Sequence, residues 1–186
     1  SDGKTPLHLL CENSDKLIEG ELQSVQKMVN SCQEVLEVVD NSNQTPLHVA
    51  ATNCSFEVIE YLVQQNENAA SMRDIYGKMP LHNFMISMGR RNQANMSEPF
   101  YCANDFHGVC VLLALCVAAP MSVMIVDKSG LRPLEYAIIY NSHDSMIEEL
   151  QQQTAFIVES LDEAYVKRRK CRQSSVLRRS SARIDK

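Results

Sequence analysis

The chain has 186 residues, 45% of them hydrophobic and 22% charged, which suits one domain or a short repeat array and excludes wholesale disorder. Its longest apolar run, Val109 to Met121, spans 13 residues and is too short to cross a bilayer. The formal charge of −5 hides a split: residues 167–186 carry nine Lys/Arg against the single Asp185, while the other 166 residues carry nine bases against 22 acids. An acidic body of −13 therefore ends in a basic tail of +8.

In chain order, the first signal is Thr5-Pro6-Leu7-His8. Proline fits the first turn of a helix, where its missing N–H is not needed, and the preceding Thr can cap that helix. After about six extra residues relative to a 33-residue unit, around 13–19, the apolar stripe Leu22, Val25, Met28, Val29 predicts a second helix. The phrase returns as Thr45-Pro46-Leu47-His48, followed by small residues and the stripe Val58, Ile59, Leu62, Val63. It returns again as Met79-Pro80-Leu81-His82, with the stripe Val109, Val111, Leu112, Leu115, Cys116 after a long insertion near 89–108. A degraded fourth copy, Arg132-Pro133-Leu134-Glu135, precedes Met146, Ile147 and Leu150. The prolines stand 40, 34 and 53 residues apart. Asp40, Asp74 and Asp127 lie five residues before the Thr position, and Gly3, Asn43, Gly77 and Gly130 lie two before it, where a tight turn needs positive φ. No single hairpin can bury its stripe alone, so the copies must stack.

Beyond Gln153, the stripe Phe156, Ile157, Leu161, Ala164, Tyr165 predicts a further helix over 154–172 that covers the end of the stack, with a favourable Glu163–Lys167 pair. The Ser/Arg composition of 173–186 reads as a basic disordered tail.

Asp-x-x-Gly-x-Thr-Pro-Leu-His in four copies resembles the ankyrin repeat, a turn plus two helices. The resemblance implies an all-α ankyrin-repeat solenoid over 1–153, with repeats at about 1–39, 40–73, 74–126 and 127–153. It implies that His8, His48 and His82 hydrogen-bond backbone in the turns rather than act in catalysis. The usual inter-helix glycine is replaced by Cys54 and Asn141. The resemblance also implies a concave ridge, made by the turn tips and the first helices, that binds a protein partner. Slot by slot, the ridge positions are Asn41, Ser42, Gln44, Thr52 and Asn53 in the second copy. They are Ile75, Tyr76, Lys78 and Ile86 in the third, and Lys128, Leu131, Ile139 and Tyr140 in the fourth. Apolar and aromatic residues at nominally exposed sites point to contact.

Chemistry finds little support. There is no nucleophile elbow, and six glycines, three of them in repeat turns, leave no phosphate-binding loop. Cys102, His107, Cys110 and Cys116 follow no familiar zinc spacing, so neither a metal nor a cofactor is expected. The expectation is a non-enzymatic scaffold or adaptor with a protein partner and no small-molecule substrate. The rival is binding of nucleic acid or anionic membrane through Lys167, Arg168, Arg169, Lys170, Arg172, Arg178 and Arg179, with Ser181 as a phosphorylation site that would weaken it. Seven cysteines, mostly in apolar stretches, fit a reducing, intracellular setting, cytoplasmic or, if the basic run is an import address, nuclear.

Overall fold

The computed structural model describes the backbone of residues 2–13, 20–93 and 105–181, with side chains for 2–13, 20–90, 107–165 and 167. Eight α-helices follow in pairs among these residues: α1 (Pro6–Glu12) and α2 (Glu21–Ser31), α3 (Pro46–Asn53) and α4 (Phe56–Gln65), α5 (Pro80–Gln93) and α6 (Asp105–Ala118), α7 (Pro133–Ile139) and α8 (Asp144–Ser181). Short 3-10 turns at Gln33–Leu36, Glu67–Ser71 and Pro120–Met124 lead from the first three pairs into the next. Packing runs α1–α3–α5–α7 along an inner row and α2–α4–α6–α8 along an outer row. Among the described residues no helix is long and apolar enough to cross a membrane.

The core is the seam between the rows. Leu7, Val25 and Val29 fill it in the first pair, and Leu47, Ile59 and Leu62 in the second. Phe84, Leu112 and Leu115 fill it in the third, and Ala137, Met146 and Leu150 in the fourth. Each fully buried large aliphatic contributes roughly 1.5–3 kcal/mol over its exposed state. Small residues set the spacing. Ala50 and Ala51 of α3 are wholly buried where the inner helices approach one another.

The tips are built identically because the sequence repeats the parts. Asp40 Oδ1 accepts the N–H groups of Ser42 and Gln44 at 2.8 and 2.9 Å. Asp74 does the same for Tyr76 and Lys78, and Asp127 for Ser129 and Leu131. Asn43, Gly77 and Gly130 take positive φ at the corner, as expected. Adjacent tips are stitched by backbone bonds from Asn41 to Asp2, Ile75 to Ser42, and Lys128 to Tyr76, each an N–H donating to a carbonyl.

Four expectations are corrected. The insertion is shorter than 89–108, because α5 runs through Gly89 to Gln93 and α6 starts at Asp105. Gly89 is tolerated inside a helix because Tyr140 lies against it: an added Cβ would stand 2.0 Å from the Tyr140 Cβ. The helix of 154–172 is not separate, and 173–181 is helical. With no proline or glycine from Asp144 to Ser181, α8 continues unbroken. It does not cover the end of the stack either: Ile157 still packs on the core, but Phe156, Leu161 and Tyr165 are exposed. Cys54 stands between α3 and α4, at the inter-helix position. It caps α3 in extended backbone, and its Sγ–H donates to the Cys11 carbonyl at 3.6 Å. Asn141 does take the left-handed role, at φ 53°. The inserted Phe100, Tyr101 and Cys102 lie outside the described residues.

Candidate functional site

The ridge is held rigid by the histidines. His8 Nδ1 accepts the backbone N–H of Thr5, His48 that of Thr45, and His82 that of Met79, at 3.1–3.2 Å. An accepting Nδ1 carries no proton, so the proton is on Nε2. From there it is donated along the chain: His8 to the Gln44 carbonyl at 2.9 Å and His48 to that of Lys78 at 3.2 Å, each in the next repeat. His82 donates to the Ile125 carbonyl at 3.1 Å, at the end of its own repeat where the chain enters the fourth tip. Each ring therefore caps its own helix and ties it to the neighbouring tip. Burial pushes His48 below its ordinary pKa and His82 down to about 4, which keeps both neutral. In the fourth repeat Glu135 replaces His and its carboxylate accepts the Arg132 N–H, keeping the local cap.

The fourth tip has a second device. Tyr136 Oη donates to Asp127 Oδ2 at 2.6 Å. Burial, then this bond, pushes Tyr136 up to about 12. Burial opposes the charge on Asp127, yet the Tyr136 hydroxyl and the N–H groups of Leu131 and Ser129 hold it below its usual range. Lys78 sits 5.1 Å from the centre of the Tyr136 ring, and Arg90 6.0 Å from that of Tyr140. Both rings thus face a cation across the inner row.

A cleft of about 300 Å³ opens on this concave side, crossing the first three repeats. Val49 and Ile86 contribute its apolar lining, and Thr52, Asn53 and Asn83 its polar lining. Gln44, Tyr76 and Lys78 descend into it from the tips, and Arg90 comes from the last turns of α5. A Lys4–Glu12 ion pair of 2.7 Å closes the first-repeat end.

Among the expected ridge residues, Gln44, Thr52, Asn53, Tyr76, Lys78 and Ile86 come together in this cleft. Asn41, Ser42 and Ile75 stand beside it on the tips, and Lys128 is exposed on the fourth tip. Tyr76 is 57% exposed and Ile139 56%. Three expectations need correction. Ile86 is only 6% exposed, so it lines the floor of the cleft instead of standing out from the ridge. Tyr140 is half-buried, stacked on Tyr136 at 6.3 Å and pressed against Gly89, so its first role is packing. Leu131 is likewise packed against the core. Sequence reasoning missed Arg90 and Asn83. They share the cleft face of α5 with Ile86 at spacings of three and four, a pattern visible once α5 is allowed to run through Gly89.

The remaining candidates scatter. His107 is exposed, Cys110 half-buried, and Cys116 buried, its thiol pushed up to about 12 mainly by burial. Cys102 lies outside the described residues. The backbone of the basic run is helical through Ser181; Lys167 is exposed and lies 4.0 Å from Glu163, and the side chains of 168–186, Ser181 included, lie outside the described residues.

A family model for ankyrin repeats, three copies long, matches residues 1–74 and again, overlapping, 16–96. The ANK repeat-containing protein nipk-1 of Caenorhabditis elegans is 35% identical over 96 residues, which is 50% of this chain and 15% of that protein. The chain thus spans well under two thirds of the length of this relative. The fourth repeat lies beyond the family-model match and rests on its tip geometry and its helix pair.

Proposed function

Because the chain belongs to the ankyrin-repeat family, we propose that it is a non-enzymatic adaptor whose protein partner lies along the concave ridge. The observation that carries this reading is Tyr76, a large aromatic left 57% exposed on a clamped tip at the mouth of the cleft. A rigid aromatic on a preorganised turn loses little entropy on binding. Ile75 on the same tip and Ile139 on α7 extend the apolar strip towards the fourth repeat. The thiols of Cys11, Cys54 and Cys116 in the core support an intracellular setting, cytoplasmic or nuclear. The test is affinity capture from nuclease-treated extract, with wild type against Tyr76→Ala. A ridge partner should bind Tyr76→Ala about 2 kcal/mol more weakly, with the unfolding midpoint unchanged. Equal capture by both proteins removes the ridge reading.

One observation favours a second reading. The continuity of α8 carries Lys167, Arg168, Arg169, Lys170, Arg172, Arg178 and Arg179 on a helix that projects past the packed stack. Such a helix is a polyelectrolyte contact for nucleic acid or anionic membrane, and phosphorylation of Ser181 would weaken it. Binding of this kind falls steeply with salt and disappears when Lys167 to Lys170 are changed to Gln. Ridge binding survives both.

A further inference from the structure

The body carries −13, yet its charges are segregated. The outer helices and the 3-10 turns present the exposed acids Glu34, Glu37, Glu57, Glu60, Glu67 and Glu148. The carboxylates of the cleft are already engaged. Glu12 pairs with Lys4, and the buried Asp74 accepts two tip N–H groups on Oδ1 and the Gln44 amide on Oδ2 at 3.4 Å. The cations of the cleft differ. Among the described residues neither Lys78 nor Arg90 forms an ion pair; each is held against a tyrosine ring, Tyr136 and Tyr140. A ring face fixes a cation while leaving its N–H groups to donate elsewhere. Lys128 adds an exposed charge on the next tip, joined to the Tyr76 tip by its own N–H. The cleft lining of this acidic protein thus holds three cations, Lys4, Lys78 and Arg90, against two carboxylates, Glu12 and Asp74, an excess of one positive charge, with Val49 and Ile86 as its apolar floor.

The geometry points to a partner of defined chemistry: a linear acidic peptide segment that sets carboxylates against Lys78 and Arg90 and one apolar side chain against Val49, Ile86 and Tyr76. This rests on the ridge reading above and specifies its ligand. A nucleic acid strand is the other polyanion to consider. Two ring-held cations around an apolar lining fit it less well than a peptide, because a strand is held by a run of phosphate contacts. The acidic outer face would also repel a long polyanion while leaving a short segment in the cleft undisturbed.

The experiment is selection of random linear peptides on the whole chain, on Lys78→Gln/Arg90→Gln, and on Tyr76→Ala. Synthetic winners are then measured by fluorescence anisotropy at two salt concentrations, with a single-stranded oligonucleotide as a parallel probe. The gentle Gln pair removes charge without placing new carboxylates beside Asp74 and Asp127, and matching circular dichroism confirms the fold. The expected winners are rich in Asp and Glu around an apolar residue. They lose roughly a hundredfold in affinity in the Gln pair, and less at high salt. They also lose affinity in Tyr76→Ala. Neutral or basic winners that still depend on Tyr76 overturn the acidic assignment and leave the ridge standing. Winners indifferent to Tyr76 and to both cations overturn the two together. An oligonucleotide that outbinds every peptide, and is lost in the Gln pair, overturns the peptide assignment in favour of a polynucleotide.

Discussion

The three histidines join local capping to the stack, and their protonation state decides whether they can. His48 and His82 are held neutral by burial, with His82 brought down to about 4 against an ordinary 6.5. The unfolded chain therefore binds more protons than the folded one between those values. The stability contributed by His82 is complete above about pH 6.5 and falls as pH drops towards 4, by up to about 1.4 kcal/mol per pH unit, and His48 adds a loss of the same sign. Urea midpoints measured from pH 7.5 down to 4.5 should decline along this slope, and His82→Gln should flatten it; an unchanged slope would sink the assignment. Glycines test the packing in the same way. Gly89→Ala drives a Cβ onto Tyr140 between two backbones that cannot retreat, and should cost about 3 kcal/mol. Gly130→Ala meets nothing within 4 Å and carries only the left-handed φ penalty, about 1 kcal/mol. Equal costs would mean that Tyr140 does not seat against α5. The capping phrase and the tip turn were legible residue by residue, because Asp, Gly or Asn, Pro and His each do one local job there. Ile86 and Tyr140 were not. Their exposure depends on what packs around them, which no property of those two residues encodes.

At the scale of elements, what the sequence hid is length. The periodic stripes locate helices where they pack, and all four second-helix stripes are buried or packed against the core as read. The last turns of α5, from Gly89 to Gln93, carry no apolar stripe, so nothing periodic marked where that helix stops. In α8 the apolar residues of 156–165 looked like a covering face, yet only Ile157 reaches the core. The two halves of α8 therefore differ in energetics. Leu150 is fully buried and Leu150→Ala should cost 2–5 kcal/mol, depending on how far the cavity collapses. Leu161 is 49% exposed beyond the stack, and Leu161→Ala should stay within about 0.5 kcal/mol. Thermal denaturation of both variants checks this. A large loss at Leu161 would show the distal half of α8 folded against something in the free protein.

At the scale of the whole molecule, a stack behaves as a one-dimensional chain of couplings, so stability should depend on how many neighbours a repeat has. In α3 the six residues from Pro46 to Ala51 are all buried, between α1 and α5. In α1 only Leu7, His8 and Cys11 are buried, and in α7 only Pro133, Tyr136 and Ala137. The histidine bonds run forward along the chain: His8 reaches the second repeat and His48 the third, while His82 reaches Ile125 at the end of its own repeat. Among the described residues the second repeat both receives such a bond, from His8, and gives one, from His48. Native-state hydrogen exchange should therefore rank the amides of α3 and α5 as slowest, with α1 and α7 opening through partial unfolding well below the global free energy. The cleft spans the strongest part of this gradient and its first-repeat end lies on the weakest, at Lys4 and Glu12. A ligand seated there should slow exchange in α1 more than in α3, because α1, with only Leu7, His8 and Cys11 buried, has more opening left to suppress. Uniform protection across all four inner helices would instead make the array a single cooperative unit, with the cleft rigid along its whole length.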